Sequence, residues 1–250
     1  MSIINISATS QLGNIRSNNE DMILLADTFI RNTSVTTAID TDVDKRFVIA
    51  LADGMGGHLA GEVASEVTLK NLHFYIKDLP CQLSKGDFNE AMVNWLESIN
   101  SIIESMGAAD SKHANMGTTL VALVYYEGRF SWLNCGDSRL YRYRDGKLTQ
   151  LTKDHSLNIL TGQQKHSNVV TNCIGAGCTT SFIDSCDITD DLLEGDTYML
   201  CSDGLTDMID DGQIASMLDC PAVDADMLCK CALDAGGFDN ISVCIMRVSE

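Results

Sequence analysis

Basic side chains are few. Lysine and arginine total 17 against 35 aspartates and glutamates, a formal net charge of −18. Such a field repels nucleic-acid backbones and anionic lipid, so neither is an expected partner. Proline is rarer still, with two residues, and no low-complexity tract interrupts the chain. With 45% hydrophobic residues, that argues against disorder and predicts a sizeable core. No apolar run approaches the roughly 20 residues of a membrane helix, so no membrane span is expected. "MSIINISATS" has neither the basic start nor the long apolar stretch of a signal peptide, which predicts a cytoplasmic protein. Cys-x-x-Cys is absent, and Cys229-Lys-Cys231 alone makes a weak zinc site. The thiols are therefore expected reduced and mostly buried, several of them (Cys135, Cys201, Cys244) within strand-like runs.

What is present is patterned. "INISATS", "MILLAD" and "RFVIALAD" read as strands, the last buried on both faces. Ala60, Val63, Ala64 and Val67 recur at helical spacing. A second helix carries Met92, Trp95, Leu96, Ile99, Ile102, Ile103 and Met106 in one stripe, opened by Asp87 with Glu90 three residues on. Residues 118–152 read as successive antiparallel strands with tight turns at Glu127-Gly128 and Asp145-Gly146. "DTYMLCSDG" is another strand, helices follow near 210–219 and 222–235, Gly236-Gly237 stops the second, and "NISVCIMRV" closes the chain. Strand groups and helix groups are segregated, which predicts a single α+β layered domain over 1–250.

Five aspartates stand at strand ends: Asp21, Asp53, Asp137, Asp203 and Asp239. Four have a glycine nearby (Gly54, Gly136, Gly204, Gly237), which permits tight turns and close approach. One such aspartate is an ordinary turn residue. Several meeting at one sheet end would make the oxygen-rich site that hard divalent cations require, and without cations they would repel one another. "DTDVDK" (40–45) imitates the start of a calcium loop, but Lys45 and Leu51 stand where glycine and glutamate are needed, so it reads as an exposed acidic loop.

The ordered set "GNIRSNNED", "ADGMGGHLAGEVAS", "MGTTLVAL", "NCGDSRLY", "DHSL", "CSDGLTD" and "GGFDNIS" spans about residues 7 to 248. It resembles the successive motifs of the metal-dependent protein phosphatases, the PPM or type 2C serine/threonine family, in its bacterial form. That resemblance implies a four-layer αββα sandwich, two antiparallel sheets flanked by helices. It implies two Mn²⁺ or Mg²⁺ ions and a weaker third. By position, Asp53 would bridge two metals and Gly54 would offer its carbonyl to one. Asp203 and Asp239 would hold the first metal, Glu20 or Asp21 would complete the second, directly or through water, and Asp137 would serve the third. Arg16 matches the arginine that clamps the substrate phosphate.

The implied reaction is direct attack on phosphoserine or phosphothreonine by a water that the two ions activate, with no covalent phosphoenzyme. Arg16 supplies a planar fork for two phosphate oxygens. The leaving alkoxide needs a proton, and His58 is the candidate donor, with capping of the following helix as its alternative role. His155 reads as a structural hydrogen-bonder, and His73, His113 and His166 as surface or packing residues. Met55 stands where eukaryotic members carry histidine. Residues 158–168 make a short flap, and Thr171-Asn172 replaces the usual Thr-Arg. Expected partners are phosphoproteins made by a bacterial kinase; the oligomeric state is left open, with a monomer favoured. The alternatives are a catalytically weak phosphoprotein-binding relative and a small-phosphoester phosphatase.

Overall fold

A computed structural model of the chain describes residues 3–56, 60–157, 169–178 and 180–249. Its architecture follows from which strands are apolar on one face and which on both. β1 (Ile3–Gln11) turns Ile4, Ile6 and Ala8 inward. β5 (Arg46–Ala52) sends Phe47, Ile49 and Leu51 to one core and Val48, Ala50 and Ala52 to another. A strand covered on both faces needs no polar alternation, and this explains its continuous apolar run.

One six-stranded sheet runs β11 (Lys147–Gln150), β10 (Arg139–Arg144), β14 (Thr197–Cys201), β15 (Ile241–Val248), β1 and β4 (Ser34–Asp40). The other runs β13 (Asp184–Asp187), β9 (Arg129–Cys135), β8 (Leu120–Tyr126), β5, β2 (Met22–Leu25) and β3 (Thr28–Ile30). All their pairings are antiparallel. The sheets face each other across a core that includes Ile6, Ile23, Ile49, Leu123, Leu200 and Met246. The helices α1 (Ala60–Asp78) and α2 (Lys85–Ala109) cover the outer face of the second sheet. On the first lie α3 (Asp203–Thr206), α4 (Asp211–Leu218) and α5 (Ala225–Asp234). The result is the expected αββα sandwich. A small third sheet joins β12 (Ile174–Gly175), β7 (Gly117–Thr118) and β6 (Gly54–Met55).

Glu127 and Gly128 have φ of 47° and 90°, and Asp145 and Gly146 have 51° and 76°, the left-handed pairs of the anticipated hairpin turns. The start of α2 differs from expectation. Ser84 is the N-cap: its hydroxyl accepts from the Asp87 N–H at 3.1 Å, and the Asp87 carboxylate accepts from the Ser84 N–H. Asp87 therefore closes the box from the third helical position and does not open it, and a serine one turn earlier wins because its short hydroxyl reaches the free N–H. In the stripe, Met92, Trp95, Leu96, Ile99 and Ile103 are buried, while Ile102 lies on the flank, exposed.

The ten cysteines are all free thiols. Five are buried, and Cys81, Cys186 and Cys220 are exposed, so "mostly buried" overstated the case. Asp40 ends β4, and residues 41–45 form the loop to β5 with Asp42 and Asp44 exposed. Among the described residues no helix is long and apolar enough to cross a membrane.

Candidate active site

Both large sheets end at one rim, and the expected carboxylates arrive there from separate connections. Arg16 and Glu20 come from the loop between β1 and β2, Asp53 from the end of β5, and Asp137 from the turn between β9 and β10. Asp203 opens α3, and Asp239 immediately precedes Asn240 and β15. These six, with Gly54, line one cavity of about 320 Å³, together with Met55, Gly56, Thr119 and Val170. Asp21 is not on the lining. It is fully buried, with the Ser202 hydroxyl donating to its Oδ2 at 2.9 Å. Of the two adjacent candidates, Glu20 lines the cavity and Asp21 is enclosed, off its lining. His58, His166 and the flap residues 158–168 lie outside the described residues.

The rim is built to hold these side chains still. Asp53 donates its N–H to Thr119 Oγ1 at 3.1 Å, and its carbonyl accepts from Thr118 Oγ1 and Thr119 N, both at 2.9 Å. Next to it, Gly54 meets the first turn of α1 so closely that a Cβ would stand 2.2 Å from the Gly61 carbonyl oxygen. Only glycine fits there. The Asn240 side chain staples the Arg16–Glu20 loop beside Asp239: its Oδ1 accepts from Glu20 N at 2.9 Å, and its Nδ2 donates to Leu12 O at 2.8 Å and Asn18 O at 2.9 Å. Behind Asp137, His155 Nδ1 accepts from the Gly136 N–H at 3.1 Å and from the Asn172 amide at 2.8 Å. Its Nε2 then carries the proton toward Asp184, at 3.1 Å. His155 is structural, and Asn172 belongs to its support. Sequence reading assigned no role to Thr118, Thr119, Asn240 or Ser202. All four lie inside the motifs quoted above, yet nothing in residue type signals a clamp.

Charge is concentrated beyond what the cavity can solvate. Burial, reinforced by Asp21, Asp203, Asp137 and Asp239, pushes the Asp53 carboxyl well above the ordinary range. Burial and the Asp137 and Asp239 charges raise Asp203 to about 8. Burial also lifts Asp21 and Asp137 to about 6 each and raises Glu20. Arg16 supplies a single opposing charge, donating to Asp239 Oδ2 at 2.6 Å. At this site two buried oxygens, Asp21 Oδ1 and Asp203 Oδ1, have no hydrogen-bond partner among the described residues. An orphaned carboxylate oxygen beside other carboxylates is costly unless a cation faces it. Among the described residues no three acidic, histidine or cysteine side chains are already drawn into a closed ligand shell. The donor set is all hard oxygen, which suits Mg²⁺ or Mn²⁺ and not zinc or copper.

A family profile described as "Protein phosphatase 2C" matches residues 36–224. The serine/threonine protein phosphatase PstP of Mycobacterium tuberculosis is 32% identical over 99% of this chain, which spans 46% of that protein, about half its length. Protein phosphatase PhpP of Streptococcus pneumoniae is 33% identical over 98% of both chains. Among solved structures, the S. agalactiae serine/threonine phosphatase superposes with a TM-score of 0.83 at 30% identity, covering 98% of this chain and 100% of that one. The catalytic domain of PstP in complex with two manganese ions gives 0.77 at 30% identity, with both chains fully covered.

Proposed function

The chain belongs to the protein phosphatase 2C family, and from that membership we propose that it is a divalent-metal-dependent hydrolase of phosphoserine and phosphothreonine in proteins. The observation that carries the proposal is the single cavity where Glu20, Asp53, Asp137, Asp203 and Asp239 meet Arg16, backed by the unpartnered oxygens of Asp21 and Asp203. In this reading Asp53 would be shared between two cations, Asp203 and Asp239 would hold the first, and Glu20, backed by Asp21, would complete the second with the Gly54 carbonyl. Manganese is the favoured ion, by analogy with the PstP complex. When bound, the cations supply a water made nucleophilic at neutral pH and offset the charge of the phosphate.

The chain's own residues do the rest. Arg16, with its side chain 53% exposed, swings its fork from Asp239 onto two phosphate oxygens. The clamps at Thr118, Thr119 and Asn240 keep the carboxylates from spreading as charge enters and leaves. His58 is retained as the proton donor to the leaving serine or threonine oxygen. The phosphoproteins are those made by a serine/threonine kinase in the same cytoplasm.

Purified protein given a phosphothreonine peptide and Mn²⁺ should release phosphate, stop in EDTA and recover when Mn²⁺ is restored. Turnover that persists in EDTA would defeat the metal reading. Turnover of a small aryl phosphate is expected as well, and such turnover with no release from the peptide would assign it small phosphoesters instead. Arg16→Ala should raise KM for the peptide by roughly ten- to a hundredfold, the loss of a charge-assisted hydrogen bond of about 1.5–3 kcal/mol, with a smaller change in kcat. Asp137→Ala tests a weaker third ion: the Mn²⁺ concentration for half-maximal rate should rise while two ions still bind by calorimetry. An unchanged metal dependence would remove Asp137 from the ligand set.

A further inference from the structure

A second group of reactive side chains lies behind the cavity wall and takes no part in the chemistry above. Cys173 and Cys178 sit at the two ends of a tight turn. Gly175, Ala176 and Gly177 all have left-handed φ (77°, 53° and 73°), and Cys178 N donates back to Gly175 O at 2.9 Å. The Ser181 hydroxyl closes the turn, standing 2.6 Å from the Cys173 carbonyl oxygen and 3.1 Å from that of Cys178. Cys173 Sγ stands 3.7 Å from the same Gly175 carbonyl oxygen that accepts from the Cys178 N–H, so the fold-back sets the two free cysteines side by side.

The two sulfurs differ in a way that divides roles. Cys178 is half-buried and therefore reachable from solvent. Burial opposes its ionisation, but hydrogen bonds from Ser181, from the main chain of Cys173 and Thr180, and from the Cys173 thiol lower its pKa below the ordinary cysteine value. Cys173 is 6% exposed, and burial raises it to about 12. One sulfur is thus accessible and more readily ionised than an ordinary cysteine, and its neighbour is a protected thiol on the same turn. That is the arrangement of an attacking and a resolving cysteine.

We propose that Cys173 and Cys178 form a dithiol site that reacts with peroxides and closes to an intramolecular disulfide. The Cys178 thiolate attacks one peroxide oxygen, the O–O bond breaks, and hydroxide leaves, giving a sulfenic acid at Cys178. The Cys173 sulfur then attacks the Cys178 sulfur, the S–S bond forms, and the sulfenic oxygen departs as water with the thiol proton. Two thiols are oxidised and one peroxide becomes two waters. The site adjoins working parts of the rim. Cys173 follows Asn172, which holds His155 behind Gly136, and precedes β12, the strand linked through β7 to Gly54.

The test uses the full chain and needs no turnover, so its failure and that of the phosphatase reading are separable. Protein is titrated with hydrogen peroxide, alkylated under denaturing conditions and mapped by mass spectrometry. Cys173 and Cys178 should lose alkylation together, with the loss of two hydrogens, before the exposed Cys186 and Cys220 react. In Cys173→Ser, dimedone should trap a sulfenic acid at Cys178. In Cys178→Ser, Cys173 should stay alkylatable at the same dose. The proposal is overturned if Cys186 and Cys220 oxidise first, or if the disulfide found joins Cys173 to the neighbouring buried Cys135.

Discussion

Asp53→Asn is expected to remove phosphatase turnover while making the metal-free protein more resistant to heat. Asparagine keeps the shape of the side chain, and the contacts that fix residue 53 are made by its main chain to Thr118 and Thr119, so the fold should survive. What changes is charge. In the folded state burial and four neighbouring aspartates, Asp21, Asp203, Asp137 and Asp239, oppose ionisation of Asp53. A neutral amide relieves that conflict, and the melting temperature in EDTA should rise. The same amide is a poor ligand for two cations at once. Losing a shared anionic ligand and the phosphate-charge compensation it organises amounts to several kcal/mol in the transition state, about three orders of magnitude in kcat. Steady-state assays and thermal melts on one preparation check both signs. A variant that keeps a tenth of the rate, or melts lower in EDTA than the parent, contradicts the role given to Asp53.

Those opposing signs explain why so much of the site was legible in the sequence. One run such as "FVIALA" followed by Asp-Gly passes for an ordinary turn, but repetition points to a cost, because a strand end gains nothing from a buried carboxylate. Recurrence of that conflict at Asp53, Asp137, Asp203 and Asp239 was visible without coordinates, and the cavity gathers all four. A layered α+β domain was legible in the segregated strands and helices, while the sandwich came from the motif resemblance. The strands β5, apolar on both faces, and β1, apolar on one, agree with it. What stayed hidden depends on contacts between distant segments. Asn240 reaches Glu20 across 220 positions, and Ser202 reaches Asp21 across 181. Neither asparagine nor serine has a pattern that announces such a partner. Glu20 and Asp21 are adjacent, and only the direction in which the chain enters β2 turns one to the cavity and the other inward. The α2 start was misread at close range: two plausible boxes overlap at Asp87, and backbone geometry at Ser84 decides between them.

Stability should depend on pH and on metal in a linked way. Asp203 is raised to about 8 and Asp21 and Asp137 to about 6, against an ordinary aspartate value of 3.8. A carboxyl whose folded pKa is raised binds its proton more tightly when folded. Its contribution is therefore fully present below the unfolded value and is lost as pH rises through the folded one. Every tenfold gain in proton affinity corresponds to about 1.4 kcal/mol, so this group of buried acids amounts to several kcal/mol between about pH 4 and pH 8. The melting temperature in EDTA should accordingly fall from about pH 5 to about pH 8 by several degrees or more. Cations compete with those protons for the same oxygens, so saturating Mn²⁺ should raise the melting temperature far more at about pH 8 than at about pH 5. Asp203→Asn should flatten the metal-free pH dependence and shrink the Mn²⁺ effect together. A melting temperature in EDTA that is flat across this range, or a Mn²⁺ effect of equal size at both ends, would mean that these carboxylates neither oppose one another in the folded chain nor hold the ions.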